Sequence, residues 1–124
     1  MKHILLAALA FSFIACKSKE EILHEQYVIE GRVQYENNCA NCHQSNGLGL
    51  RNLYPAITKS KIPAPDLAKL IKQGRKSASG YMPANPKLHA IDIAEIITFM
   101  RHEWGNNEQI FSFDSTRIAL KGVD

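Results

Sequence analysis

A C-x-x-C-H run, Cys39-Ala40-Asn41-Cys42-His43, constrains this chain more than any other feature. Its spacing reads as covalent haem attachment. Two thiols three positions apart can each form a thioether to a haem vinyl group, and the histidine after the second thiol falls beneath the iron. Cys39 and Cys42 are therefore expected to hold the macrocycle, and His43 to ligate it. A bare C-x-x-C also occurs in thioredoxin-like redox pairs and in zinc sites. The first expects a βαβ setting, and the second expects two more thiolate or imidazole ligands at compatible spacing. Here the third cysteine is Cys16, and His3, His24, His89 and His102 are scattered singly.

The N-terminus speaks to location. Lys2 and His3 precede a short apolar run, Ile4 to Ala15, that ends in Phe13-Ile14-Ala15-Cys16. The run is too short to cross a bilayer as a helix and suits the apolar core of an export signal. It resembles a bacterial lipoprotein signal, with residues 1–15 removed and Cys16 acylated, although Phe13 and Ile14 fit the lipobox loosely. The competing reading is an ordinary secretory peptide with Cys16 left as a thiol. Lipidation also accounts for an odd cysteine count, since one lipid site and two thioethers leave no thiol over. Residues 16–26 then read as a polar membrane tether. The protein is expected to be exported and held on a bacterial membrane, facing the periplasm or the cell surface.

Residues 27–106 carry the domain and 107–124 a C-terminal tail. So short a chain has little core of its own, and a buried haem would supply much of the missing apolar volume. Net charge is +3, or +2 once Lys2 leaves with the signal, which is no nucleic-acid-binding balance.

Helical periodicity runs from Glu25 to Asn38, where Val28, Gly31, Tyr35 and Cys39 share one face leading into the haem motif. Gly31 costs that helix about 1 kcal/mol relative to alanine, which suggests a close neighbour. Leu53-Tyr54-Pro55-Ala56-Ile57 forms an apolar loop suited to lining a pocket. After Pro63 and Pro65, Asp66 opens a short helix with a stripe of Leu67, Leu70 and Ile71 that stops at Gly74.

Lys76 to Pro83 reads as a loop, and Met82 within it is the second ligand candidate. Thioether sulfur is a weak, soft ligand for haem iron, and Pro83 and Pro86 restrict the segment. The plainer alternative is a core methionine. His89, close by in sequence, competes for the iron. Leu88 to Trp104 is the clearest helix, with Ile93, Ile97, Met100 and Trp104 in one stripe widened by Ile96 and Phe99. Met100 is accounted for by that face. His102, in the last turn, suits the helix dipole as a solvated end residue better than it suits a ligand role. Asp114 to Leu120 is a further short helix.

With these residues placed, the chain resembles a class I (mono-haem) c-type cytochrome in bacterial lipoprotein form. The similarity rests on the C-x-x-C-H run, Gly47-x-Gly49, Leu53-x-Pro55-x-Ile57, Asp66-Leu67, Ile71, Gly74, Tyr81-Met82-Pro83, and Ile93 to Asn106. It implies an all-α small cytochrome c fold, three to five helices wrapped around one covalently attached haem. The implied pocket is Leu53, Pro55, Ile57, Leu67, Ile71, Tyr81 and Pro83, with His43 and Met82 as axial ligands of the haem c iron. It also implies that the Pro55 carbonyl accepts a hydrogen bond from His43, and that Gly31 and Tyr35 meet Ile96 and Phe99 where the first and last helices cross. His89 stands where the family carries serine or threonine as a helix cap, and the tail has no counterpart.

The function implied is electron transfer by an exported carrier or electron-transfer subunit that is not itself an enzyme. An open sixth iron position, as in a gas sensor or haem enzyme, is the alternative. Between Arg51 and Lys87 lie eight basic residues against the single acid Asp66, whereas Glu20, Glu21, Glu25, Glu30 and Glu36 precede the haem motif. Lys69, Lys72, Arg75, Lys76 and Lys87 are thus expected to form a docking face for acidic redox partners. No small-molecule substrate and no nucleic acid is expected.

Overall fold

The protein's structure, a computed structural model, describes residues 17–123 apart from 52, 79 and 106. The run read as an export signal, residues 1–15, and Cys16 lie outside the described residues. Five helices and one short hairpin are described: α1 Lys19–Asn38, α2 Ala40–His43, α3 Ala64–Gln73, β1 Arg75–Ser77, β2 Gly80–Met82, α4 Ala90–Gly105 and α5 Phe113–Ala119. Apart from the hairpin the architecture is all-α, as the resemblance implies. Among the described residues no helix is long and apolar enough to cross a membrane.

Helix α1 begins at Lys19, six residues before the periodicity predicts, and so takes in most of the tether expected over residues 16–26. The cause is a capping box. Ser18 Oγ accepts from the Glu21 N–H at 3.1 Å while the Glu21 carboxylate accepts from the Ser18 N–H at 2.7 Å, satisfying two orphan amides. Glu20 and Glu21 suit the positive end of the helix dipole, and Lys17 pairs with Glu25.

Helices α1 and α4 cross in contact at Gly31. A Cβ on Gly31 would stand 2.0 Å from the Glu95 carbonyl oxygen and 2.8 Å from Phe99 Cβ. The neighbour is therefore Glu95 backbone together with Phe99, where the resemblance implied Ile96 and Phe99. One turn on, the buried Tyr35 ring packs against Phe99 and Trp104 with centroids 5.5 and 5.3 Å away. Edge-on and tilted aromatic pairs at such separations each add about 0.5–1.5 kcal/mol beyond area burial. Arg32 closes the crossing, bonding Glu103 at 2.9 Å with its guanidinium 5.0 Å from the Phe99 ring centroid.

The other face of α4 supplies the core. Ile93, Ile96 and Ile97 cluster with Ala68 and Ile71 of α3, with Leu88, and with Phe111 and Leu120 of the tail. Thr98 ties that tail down: its buried hydroxyl donates to the Ala94 carbonyl at 2.9 Å and accepts the Phe111 N–H at 3.1 Å. The segment that the family resemblance leaves without a counterpart thus completes the core. Helix α4 starts one residue after His89, whose N–H donates to the Asp92 carboxylate at 2.7 Å. The Asp92 side chain thereby supplies half of a capping box that His89 itself cannot.

Burial, reinforced by the charges of Glu30 and Asp92, pushes the Glu95 carboxyl from its ordinary 4.5 up to about 7. Between those values the folded state holds a proton that the unfolded chain has released, so stability is highest below the lower value and falls as pH rises through the upper one. Glu95 is partly exposed, and screening reduces the effect to about 1 kcal/mol between about pH 5 and pH 8. Urea melts across this range should show that slope, and Glu95→Gln should flatten it; an unchanged slope in the variant would remove Glu95 as its source.

Candidate haem-binding cleft

Helix α1 ends at Cys39, whose N–H donates to Tyr35 O at 2.8 Å, and the chain re-enters a single helical turn, α2, that closes on His43. His43 N–H bonds back to Cys39 O at 2.9 Å. This tight turn carries both thiols and the imidazole on one short segment. Gln44 leaves it at φ 64°, and its carbonyl accepts from the Tyr35 hydroxyl at 2.8 Å. The aromatic cluster at the α1–α4 crossing thereby fixes the exit from the cysteine motif.

The loop that follows returns to His43. Gly49 sits at φ 66°, its N–H donates to His43 O at 2.9 Å, and a Cβ there would come within 2.2 Å of Tyr54 O. Leu50 N–H bonds Tyr54 O at 3.0 Å and Ile57 N–H bonds Gly47 O at 2.8 Å. These contacts bring the Pro55 carbonyl to 3.0 Å from His43 Nδ1, the hydrogen bond that the resemblance implied. A carbonyl only accepts, so Nδ1 carries the proton and Nε2 keeps its lone pair for a metal.

Met82 arrives by another route. The stretch expected as a loop is an antiparallel hairpin pairing Arg75 with Met82, Lys76 with Tyr81 and Ser77 with Gly80. Three-residue strands are too short to show alternation, so the ladder escapes a sequence reading. Beyond Met82, Asn85 donates from its backbone to Ile71 O and Lys72 O at 3.3 and 3.2 Å, and from its side chain to Ile71 O at 3.2 Å. These bonds satisfy carbonyls at the end of α3. Lys72 Nζ adds bonds to Pro86 O at 3.1 Å and Leu88 O at 3.0 Å. Met82 is thus held between the hairpin and a segment clamped to α3.

The cysteine turn, the Pro55 loop and the Met82 hairpin meet around one apolar cleft of about 290 Å³, lined by Cys39, Cys42, His43 and Met82 together with Leu53, Pro55, Ile57, Leu67, Ile71, Tyr81 and Pro83. Its size is near the lower end of cofactor clefts, roughly 300–1,000 Å³. Leu53 and Tyr81 on its wall are each 69% exposed. Large apolar side chains left open around a concave surface fit a flat, apolar group better than water. The donor set fits haem as well, with two thiols, an imidazole with a free nitrogen and a thioether. Burial, then the neighbouring Cys42, pushes the Cys39 thiol up to about 12, so it is neutral. The same burial raises the Tyr35 phenol, with Cys39 adding to it.

Three sequence expectations change here. Met100, assigned to a helix face, also lines the cleft. His89 is exposed at the N-cap of α4 and does not line it. Lys72, expected on the docking face, spends its ammonium on the loop carbonyls, whereas Lys69, Arg75, Lys76 and Lys87 are exposed. Sequence reasoning also missed that His24 and His102, scattered in the chain, converge with Glu108 away from the cleft. Nothing in their spacing signals it.

A mostly helical domain whose C-x-x-C-H turn lines an apolar cleft, with the histidine locked by a backbone carbonyl, has the architecture of a c-type cytochrome. A family model described as "Cytochrome C oxidase, cbb3-type, subunit III" matches residues 28–100, more than half of the chain, and the chain belongs to that family. It is also similar to "Alcohol dehydrogenase (quinone), cytochrome c subunit" of Gluconobacter oxydans (strain 621H), with 29% identity over 89 residues covering 62% of this chain. The matched stretch is 19% of that subunit, so the chain spans a small part of its relative's length.

Proposed function

We propose that this protein is a membrane-tethered electron carrier or electron-transfer subunit with a single haem c. The observation that carries the reading is the convergence of Cys39, Cys42, His43 and Met82 on one apolar cleft. Cys39 and Cys42 would hold the haem through thioethers, and His43 and Met82 would supply the ligands to its iron. Bound there, haem would supply a one-electron ferric–ferrous couple, whose potential a histidine–methionine ligand pair would raise. The Pro55 carbonyl orients His43 and makes it a better ligand. The apolar wall excludes water and disfavours the ferric charge. Two protein ligands would leave no iron position for a substrate, which favours a carrier over an oxidase or dehydrogenase in itself. The names of the family and of the relative support service to a larger oxidoreductase.

Denaturing electrophoresis should retain haem staining in the protein and lose it in the Cys39→Ser, Cys42→Ser double variant; haem that extracts fully into acid acetone would end the covalent assignment. The ferric protein should show the weak near-infrared charge-transfer band of methionine ligation. Met82→Ala should abolish that band and Met100→Ala should leave it in place; the reverse pattern would move the ligand to α4. A high-spin spectrum in the unaltered protein would favour the open-position alternative.

Residues 1–15 are read as the export signal, Cys16 as the acylated residue and the polar start of α1 as the spacer from the membrane. Cys16→Ala should shift the protein from the membrane to the soluble fraction, and a variant that still sediments with membranes would mean attachment through a partner.

Lys69, Arg75, Lys76 and Lys87 form the proposed docking face for an acidic partner, with Arg75 also on the cleft wall. Charge there steers encounter and orientation while weak binding permits turnover. The bimolecular electron-transfer rate should fall as salt rises. Lys69→Glu with Lys76→Glu should slow association several-fold without altering the haem spectrum, and a rate indifferent to both changes would place docking elsewhere.

A further inference from the structure

We propose that His24, His102 and Glu108 form a second metal site, separate from the haem cleft, that takes a borderline divalent cation of the Zn²⁺ class and fastens α1 to the chain beyond α4. None of the three residues lines the cleft. His24 comes from the second turn of α1, His102 from the last turn of α4, and Glu108 from the segment after it.

One donor atom from each of the three residues lies within 4.8 Å of the others. Glu108 Oε2 is 3.5 Å from His24 Nε2 and 3.2 Å from His102 Nδ1. Zinc bonds of about 2.0–2.2 Å in a tetrahedron put neighbouring donors about 3.3 Å apart, so two of the three edges already stand at ligation distance. The imidazole rings meet edge-on with centroids 5.3 Å apart, a packing that lets both present nitrogen to one point.

The simpler account is an imidazole–carboxylate contact, and it explains His102, which bonds Glu108. It does not explain His24. That side chain is only 13% exposed, and its Nε2 is buried without a hydrogen-bond partner, the separation from Glu108 being an ion contact without hydrogen-bond geometry. Leaving such a group unpaired is unfavourable, because it loses its hydration and gains no partner in return. A cation shared by the two nitrogens and the carboxylate removes that cost.

The carboxylate is positioned by the chain itself. Asn107 N–H donates to Arg101 O at 3.1 Å and Asn107 Oδ1 accepts the Gln109 N–H at 2.9 Å, turning Glu108 back over the end of α4. Glu108 is 70% exposed, which opens a path for the ion and leaves room for water as a fourth ligand. Two imidazoles and a carboxylate suit zinc better than the all-oxygen shells of calcium or magnesium. A metal that binds only the folded arrangement stabilises it by linkage.

The test uses full-length protein, haem retained, freed of divalent ions with a chelator. Calorimetric titration with Zn²⁺ should show one saturable site, and Tm should climb with Zn²⁺ concentration. His24→Gln and His102→Gln should each weaken binding about tenfold or more. X-ray absorption at the zinc edge of the loaded protein should show nitrogen and oxygen neighbours with imidazole scattering. Absence of saturable binding, unchanged affinity in the double variant, or sulfur in the zinc shell would each overturn the proposal. Should a variant lose its haem spectrum through misfolding, the absorption data on the unaltered protein decide alone.

Discussion

The contact between Gly31 and the Glu95 backbone is the constraint on which the rest of this molecule hangs. Nothing larger than a hydrogen fits between helix and carbonyl, so a glycine that weakens α1 locally sets how closely it meets α4. That approach lets Tyr35 reach Phe99 and Trp104. Tyr35 in turn holds Gln44 O, the first carbonyl beyond the cysteine motif. A packing decision in the middle of one helix therefore reaches the imidazole proposed to ligate iron, through one ring and one hydroxyl.

The cleft is assembled by satisfying backbone groups more than by packing side chains. His43 is oriented by Pro55 O, and Pro55 is positioned by the bonds that close the loop at Gly47, Gly49 and Leu50. Met82 is positioned by the hairpin ladder and by Asn85 and Lys72, which take up carbonyls of α3 and of the loop beyond it. Apolar side chains are left facing the space between these two scaffolds. A small domain with that much open apolar wall gains its missing core when a cofactor fills the cleft.

Charge and the tail extend this plan outward. Arg75 of the hairpin and Lys59 line the cleft, while α1 carries Glu20, Glu21, Glu25, Glu30 and Glu36. The tail packs Phe111 and Leu120 into the core on the α3–α4 side and turns Glu108 toward two histidines. Its short helix buries only Thr116, and the tail's effect comes from where Thr98 anchors Phe111 just before that helix.

The residue order alone determined the C-x-x-C-H motif, helix α4 and the apolar loop from Leu53 to Ile57, because thiol spacing and helical periodicity are local and survive any arrangement of the chain, while the rest of the cleft wall was implied by the family resemblance. The early start of α1 was also legible: Ser18 to Glu21 is a capping box, overlooked because polar residues suggested a tether. Other features were not legible. The hairpin depends on a ladder three residues long, Lys72's role depends on carbonyls more than ten residues away, and His24 meets His102 only because α1 crosses α4. Separations of that kind are set by packing distance and by which backbone groups need partners. Those are properties of the folded chain and not of its order.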